Sequence, residues 1–150
     1  MNNGLYGMTG VQVAPTTLLG KVTTTTPYHN IERAFDLCEL SRSAGATYVA
    51  RWTTAHARSC VRAIVKGIQK KGLAFIEILT QCPTHQRKPA QEILKSFREI
   101  TVLRTQYEKD PKKYKDRIIL GEFVDTEAPE WISSAQELIR QQCGEVRHGK

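Results

Sequence analysis

Apolar positions along the chain alternate between two periods. From His56 to Lys70, Ala57, Val61, Ile64, Val65 and Ile68 recur at helical spacing while Arg58, Arg62, Lys66 and Lys70 face away. This predicts an amphipathic helix, stopped by Gly72. Leu73-Ala74-Phe75-Ile76-Glu77-Ile78-Leu79 then runs almost without a polar break, the pattern of a strand buried on both faces. Thr47 to Arg51 reads as a short strand ahead of the helix. Strand, helix and strand in this order make a parallel crossover unit, so the fold class is α/β with a mostly parallel sheet flanked by helices.

The same reading extends to either side. Ile31, Phe35 and Cys38 fall at helical spacing, widened by Leu37 and Leu40, and Gly45 is placed to end that helix. Before them, Val22-Thr23-Thr24-Thr25-Thr26 is β-branched and predicts extended backbone up to Pro27. Downstream, Ile93, Phe97, Ile100 and Leu103 predict a helix over 90–108, broken at Asp110-Pro111. A short strand within Arg117 to Asp125 and a helix from Pro129 to about Cys143, carrying Trp131, Ile132, Ala135, Leu138 and Ile139, complete the pattern. No linker or low-complexity segment interrupts it, so residues 1–150 are expected to form a single domain.

Composition narrows the function classes. The 40% hydrophobic and 25% charged residues are ordinary for a globular chain. No run approaches eighteen apolar residues and no basic-then-apolar leader opens the chain, which sets the cytoplasm as the default location and no membrane as partner. A net charge of +7 admits nucleic acid, an acidic protein or a phosphorylated ligand. The basic residues are scattered, however, with only short pairs at Lys70-Lys71 and Lys112-Lys113, and the interleaved aromatics of an RNA-binding sheet are missing. A basic nucleic-acid-binding domain is therefore the weaker alternative. Cys38, Cys60, Cys82 and Cys143 lie far apart with no Cys-x-x-Cys, which argues against a self-contained zinc site and a disulfide framework. Cys38, Cys60 and Cys143 sit in helical patterns and are assigned to packing.

The first stretch departs from both periods. Asn2-Asn3-Gly4-Leu5-Tyr6-Gly7-Met8-Thr9-Gly10 is a poor helix and a poor strand. It makes a loop whose backbone can approach a phosphate or a metal closely, and asparagine and backbone carbonyls are the hard oxygen ligands that magnesium takes beside phosphates. By composition alone a disordered polar tail is the favoured reading.

Resemblance changes that balance. The stretch resembles the second half of the thiamine diphosphate motif of 2-oxoacid:ferredoxin oxidoreductase beta subunits, and the similarity continues through Pro15-Thr16-Thr17, Gly45-Ala46-Thr47-Tyr48-Val49-Ala50-Arg51 and Cys82-Pro83-Thr84. It is close over residues 1–85, looser over 86–150, and strongest toward the 2-oxoglutarate type. The resemblance implies a thiamine diphosphate-binding fold in which Asn3 (side chain) and Leu5 (backbone carbonyl) ligate Mg²⁺. It also implies that Tyr6, Gly7, Met8 and Thr9 line the cofactor, and that Cys82 supplies one thiolate to a 4Fe–4S cluster. The alternative for Tyr6 and Met8 is core packing.

An alpha subunit (with gamma and delta subunits in some complexes), ferredoxin, coenzyme A and a 2-oxoacid are the implied partners. The activating carboxylate would come from the alpha subunit, so neither His56 nor His85 is assigned an acid–base role. Val11 replaces a family glycine, and a β-branched residue resists positive φ. The family's upstream Gly-Asp-Gly half, the strand after it and three cluster cysteines have no counterpart here. The expectation is the C-terminal portion of a split or truncated beta subunit, with the first strands of its sheet missing and no activity by itself. A cofactor-free remnant that only docks on its partners is the other reading. Arg51 is assigned to a structural ion pair ahead of a phosphate contact.

Overall fold

The computed structural model describes residues 1–82 and 88–147. Its centre is a four-stranded mixed sheet built on β3 (Tyr48–Thr53). β4 (Ala74–Leu79) runs parallel to β3 on one side, in the register Tyr48↔Ala74 through Thr53↔Leu79. On the other side β6 (Ile118–Asp125) runs antiparallel to β3 with a bulge at Val49/Ala50, and β5 (Thr101–Leu103) lies parallel outside β6. A small antiparallel hairpin, β1 (Leu5–Tyr6) with β2 (Gln12–Val13), stands apart from the sheet.

Strand alternation sends the residues of β3 to two faces. Val49 packs with Cys38 and Ala46 beneath α1 (Leu37–Ser43), with Phe75, Phe123 and Val124 around them. Tyr48 and Ala50 pack with Ala63 beneath α2 (Ala57–Gln69), joined by Trp52, Ala74 and Ile76. The crossover from β3 through α2 to β4 is the predicted parallel unit. Beyond it lie α3 (Ala90–Ile100), the one-turn α4 (Arg104–Tyr107) and α5 (Trp131–Arg147). Among the described residues, no helix is long and apolar enough to cross a membrane.

Several expectations are corrected. The stripe expected in the core on α2 is turned outward: Val61, Val65 and Ile68 are exposed, and the face against the sheet is Cys60, Ala63 and Gly67. Small residues win that face because they let the helix axis approach. A Cβ on Gly67 would lie 2.8 Å from Ile76 Cδ1. β4 is an edge strand instead of a fully buried one, and of its six residues only Glu77 is buried. The helix expected from Ile31 is confined to Leu37–Ser43, because Asp36 accepts from the amides of Cys38 and Glu39 and starts it there, leaving Ile31 and Phe35 exposed. Gly45, at φ +85°, follows its C-cap as expected.

The helix expected over 90–108 is interrupted. Thr101–Leu103 leaves it to pair with β6 and bury Val102, so tertiary pairing overrides the helical period. Val22–Thr26 is irregular, bending at Thr24–Thr25 instead of forming a strand, and is closed by hydroxyl bonds such as Thr23 to Thr26 at 2.7 Å. Cys143 is exposed on α5, so it is not a packing residue, whereas Cys38 and Cys60 are buried.

Candidate cofactor site

The opening stretch is folded onto the sheet, which removes the reading as a disordered tail. Asn2 adds to the outer side of β4 at its carboxyl end: its amide donates to the Ile78 carbonyl at 2.8 Å, and its carbonyl accepts from Thr80 at 2.9 Å. The Asn2 side chain is fully used. Its amide nitrogen donates to Glu77 Oε1 at 2.7 Å, and its oxygen accepts from the Gly4 amide at 2.8 Å and the Thr16 hydroxyl at 2.9 Å. Gly4 turns at φ +71°, a conformation that suits glycine.

From this anchor the loop carries Asn3 and Leu5 outward. The Asn3 side-chain oxygen lies 3.5 Å from the Leu5 amide, its one bond among the described residues, and Asn3 is exposed. Gly7 folds back over Cys82. A Cβ there would sit 3.1 Å from Cys82 Sγ, 3.4 Å from Asn3 Nδ2 and 3.5 Å from Leu5 Cδ1. Asn3, Leu5, Gly7 and the buried Cys82 thus converge beyond the carboxyl end of β4, where ligands gather in open α/β sheets. Tyr6, Met8 and Thr9 project from the hairpin, with Tyr6 half exposed and Met8 fully so, which rules out core packing for both. Pro83, Thr84 and His85, which complete the Cys82 motif and its neighbour, lie outside the described residues.

The hairpin is held by polar side chains. Thr9 and Gln12 exchange two bonds of 2.7 Å, from hydroxyl to amide oxygen and from amide nitrogen to the Thr9 carbonyl. Thr17, almost completely buried, donates to the Gly4 carbonyl at 2.6 Å and accepts from Ala14 at 2.8 Å. Thr24 donates to the Gly10 carbonyl at 2.7 Å, and Thr25 accepts from Val13 at 3.0 Å. Val11 adopts φ +66° despite its β-branch. Its backbone is bonded on both sides, to the Tyr6 carbonyl and from the Thr24 amide, and these bonds hold a conformation that its side chain disfavours.

Beneath Asn2 lies a buried charged cluster that periodicity does not show. In-register pairing puts Arg51 beside Glu77, and Arg51 Nε donates to Glu77 Oε2 at 2.6 Å. The other end of the guanidinium donates to Asp36, and its plane stands 5.3 Å from the Phe123 ring. Arg51 is therefore the structural ion pair expected. Burial pushes the Asp36 carboxyl upward, but the bond and charge of Arg51 and two helix amides outweigh it and hold the group below the ordinary aspartate value. Burial drives the neighbouring Cys38 thiol up to about 12, so it is a protonated, inert sulfur at neutral pH. His56 binds the Thr53 hydroxyl through Nδ1, and burial followed by the Arg98 charge keeps its imidazole below its ordinary value.

Two clefts share Asn2, Thr16 and Leu79 in their walls. One of about 240 Å³ is bordered by Asn3, Gly4, Leu5, Thr17, Lys21 and Phe97, and one of about 250 Å³ by Asp36, Arg51 and Glu77. Among the described residues, no three His, Cys, Asp or Glu side chains converge as a metal site. The hard oxygens at the loop are those of Asn3 and the backbone. Their chemistry fits a magnesium–diphosphate pair, while Cys82 offers one sulfur.

Known proteins match this chain in sequence and in fold. The family model of the thiamine pyrophosphate enzyme C-terminal TPP-binding domain matches residues 1–78. The 2-oxoglutarate synthase subunit KorB of Methanocaldococcus jannaschii is 49% identical over 146 residues, covering 93% of this chain and 54% of that protein. The KorB subunit of Methanothermobacter marburgensis is 40% identical, over 97% of this chain and 53% of its own length. The chain thus spans about half the length of these curated relatives. A solved 2-oxoglutarate:ferredoxin oxidoreductase from Magnetococcus marinus shares the fold, with a TM-score of 0.75 at 24% identity over 96% of this chain and 51% of that one. The match over residues 1–78 establishes that the chain belongs to the thiamine pyrophosphate enzyme family, in its C-terminal TPP-binding domain.

Proposed function

We propose that this chain is the C-terminal, cofactor-binding portion of the beta subunit of a 2-oxoglutarate:ferredoxin oxidoreductase. The observation that carries the reading is the convergence of Asn3, Leu5, Gly7 and Cys82 at the carboxyl end of β4. In this reading residues 1–150 act as one domain. Asn3 Oδ1 and the Leu5 carbonyl hold Mg²⁺, and the Gly7 backbone, with no side chain in the way, comes close to the diphosphate. Tyr6, Met8 and Thr9, standing clear of the core, line the cofactor and shield it from water.

When bound, thiamine diphosphate supplies the chemistry by which a 2-oxoacid loses carbon dioxide, with electrons passed to ferredoxin and the acyl group to coenzyme A. Cys82 gives one ligand to a 4Fe–4S cluster whose other thiolates come from outside this chain. The exposed Val61, Val65 and Ile68 of α2, and Trp131 and Ile132 of α5, support contact with the alpha subunit and other parts of the complex.

The test is co-expression with a candidate alpha subunit and the upstream half of the motif, followed by thiamine and iron analysis of what co-purifies. Stoichiometric thiamine diphosphate lost on Asn3→Ala, and iron lost on Cys82→Ala, are the expected results. A chain that remains alone, colourless and free of cofactor would overturn the assignment in favour of a docking remnant.

A further inference from the structure

The one charged side chain on β4 has no part in the loop's chemistry yet touches its anchor. Glu77 is 4% exposed and Arg51 7% exposed, and they face each other across β3 and β4 on the side of the sheet beneath Asn2. An ionised carboxylate only accepts hydrogen bonds, and Glu77 divides its two oxygens. Oε2 takes Arg51 Nε at 2.6 Å, and Oε1 takes the Asn2 amide nitrogen at 2.7 Å.

That second bond fixes the Asn2 amide from the sheet side, in the same sense that the Gly4 amide favours from the loop side. An asparagine amide can point either way, but beside a carboxylate only its nitrogen can face inward. The Asn2 oxygen must then face outward, where it collects the Gly4 amide and the Thr16 hydroxyl. The first of these bonds closes the turn at Gly4, from which Asn3 and Leu5 project.

We infer that Glu77, held by Arg51, is a positioning residue for the asparagine loop: it orients the Asn2 amide and through it the turn that presents Asn3 and Leu5. The inference rests on the proposed function for its consequence at Mg²⁺ and thiamine diphosphate, but the orientation itself belongs to this chain alone. Because Glu77 reaches Asn3 only through Asn2 and the Gly4 turn, its effect should lie at the lower end of the about 10- to 100-fold in metal affinity that direct partners of a ligand govern.

Amide hydrogen exchange on the full chain reads the orientation without any cofactor. In Glu77→Gln, the Gly4 amide should exchange about tenfold faster, the equivalent of one lost hydrogen bond, while the amides of β3 keep their protection. Because the single variant leaves Arg51 short of a partner, Arg51→Met/Glu77→Met removes both charges together and serves where the single variant does not fold. It should retain the sheet and still release Gly4. An unchanged Gly4 rate in either variant, or an equal acceleration of the β3 amides, would overturn the inference.

Magnesium-dependent thiamine diphosphate titration of the assembled complex gives a second reading, with affinity expected to fall about tenfold in the variants. Full affinity in a variant with a released Gly4 would overturn the link to the cofactor. A wild-type complex that binds no thiamine diphosphate would instead sink the proposed function, with the exchange result still deciding the role of Glu77.

Discussion

The sheet and the asparagine loop are two regions of one chain held together by different means. In β3, Tyr48, Val49 and Ala50 are completely buried, and the strand is laddered to neighbours on both sides. Non-directional apolar burial there tolerates substitutions that keep shape and volume. The loop has almost no apolar core. Asn2, Thr9, Gln12, Thr17, Thr24 and Thr25 hold it through individually placed polar atoms, each with a fixed partner. Such a region loses its shape one bond at a time, whereas the sheet fails cooperatively. The cost of an open, polar loop is met by pinning it to the rigid element at Glu77 and Thr80.

The sharpest way to break this division is at the pair that joins the two regions. Arg51→Ala leaves the Glu77 carboxylate buried beneath the sheet without its cation, and should lower the unfolding free energy by about 3–5 kcal/mol in urea titration. An effect below about 1 kcal/mol would mean that water reaches Glu77 and that the pair is not part of the rigid region.

Next in size is a change confined to the sheet side. Gly67→Val forces side-chain atoms toward Ile76, Tyr48 and Ala74, where a Cβ alone would already lie 2.8 Å from Ile76 Cδ1. Overpacking should cost about 1–3 kcal/mol of global stability, seen as a lower thermal midpoint, while the exchange rate of the Gly4 amide stays the same. The mirror experiment is Thr17→Val. It deletes the hydroxyl that bonds the Gly4 carbonyl and leaves the Ala14 amide without its acceptor. A local loss of about 1–3 kcal/mol is expected, read as faster proteolysis or exchange within residues 4–17, with the thermal midpoint of the sheet little changed.

The smallest expected effect concerns reactivity at pH 8, where stability is unchanged. At pH 8 the exposed Cys143 should be alkylated first, with Cys38 unmodified, as mass spectrometry of tryptic peptides would show. The folded Cys38 thiol is raised by burial to about 12 from its ordinary 9.0, so the native state keeps its proton where the unfolded chain gives it up. The stability this contributes is complete below pH 9.0 and is lost as pH rises toward about 12, at no more than about 1.4 kcal/mol per pH unit. Rapid labelling of Cys38 at pH 8 in the folded chain would contradict the packing beneath α1.

Legibility in the sequence follows the same division. The extent of α2, the parallel unit with β4 and the α/β class are visible in hydrophobic period because repeating backbone geometry imposes it. The face that α2 buries is not, since Val61, Val65 and Ile68 outrank Cys60, Ala63 and Gly67 in hydrophobicity but are too bulky for the close approach. The departure at Thr101 is equally invisible, because pairing with Ile118 depends on residues far along the chain.

In the candidate site, Asn3, Leu5, Gly7 and Cys82 are legible only through resemblance of a motif, and the geometry brings them together. The threonines that shape the loop leave no periodic trace. Glu77 leaves a mark of another kind: a single carboxylate within an otherwise apolar run must find a partner, and Arg51 is the strand residue in register with it.

The most direct test of the account is calorimetric titration of thiamine diphosphate, with and without Mg²⁺, into the complex assembled on this chain, comparing wild type with Asn3→Ala. Binding that requires Mg²⁺ and weakens at least about tenfold in Asn3→Ala is the predicted result. Equal affinity in the two proteins, or binding indifferent to Mg²⁺, would contradict the assignment of the asparagine loop as the cofactor site.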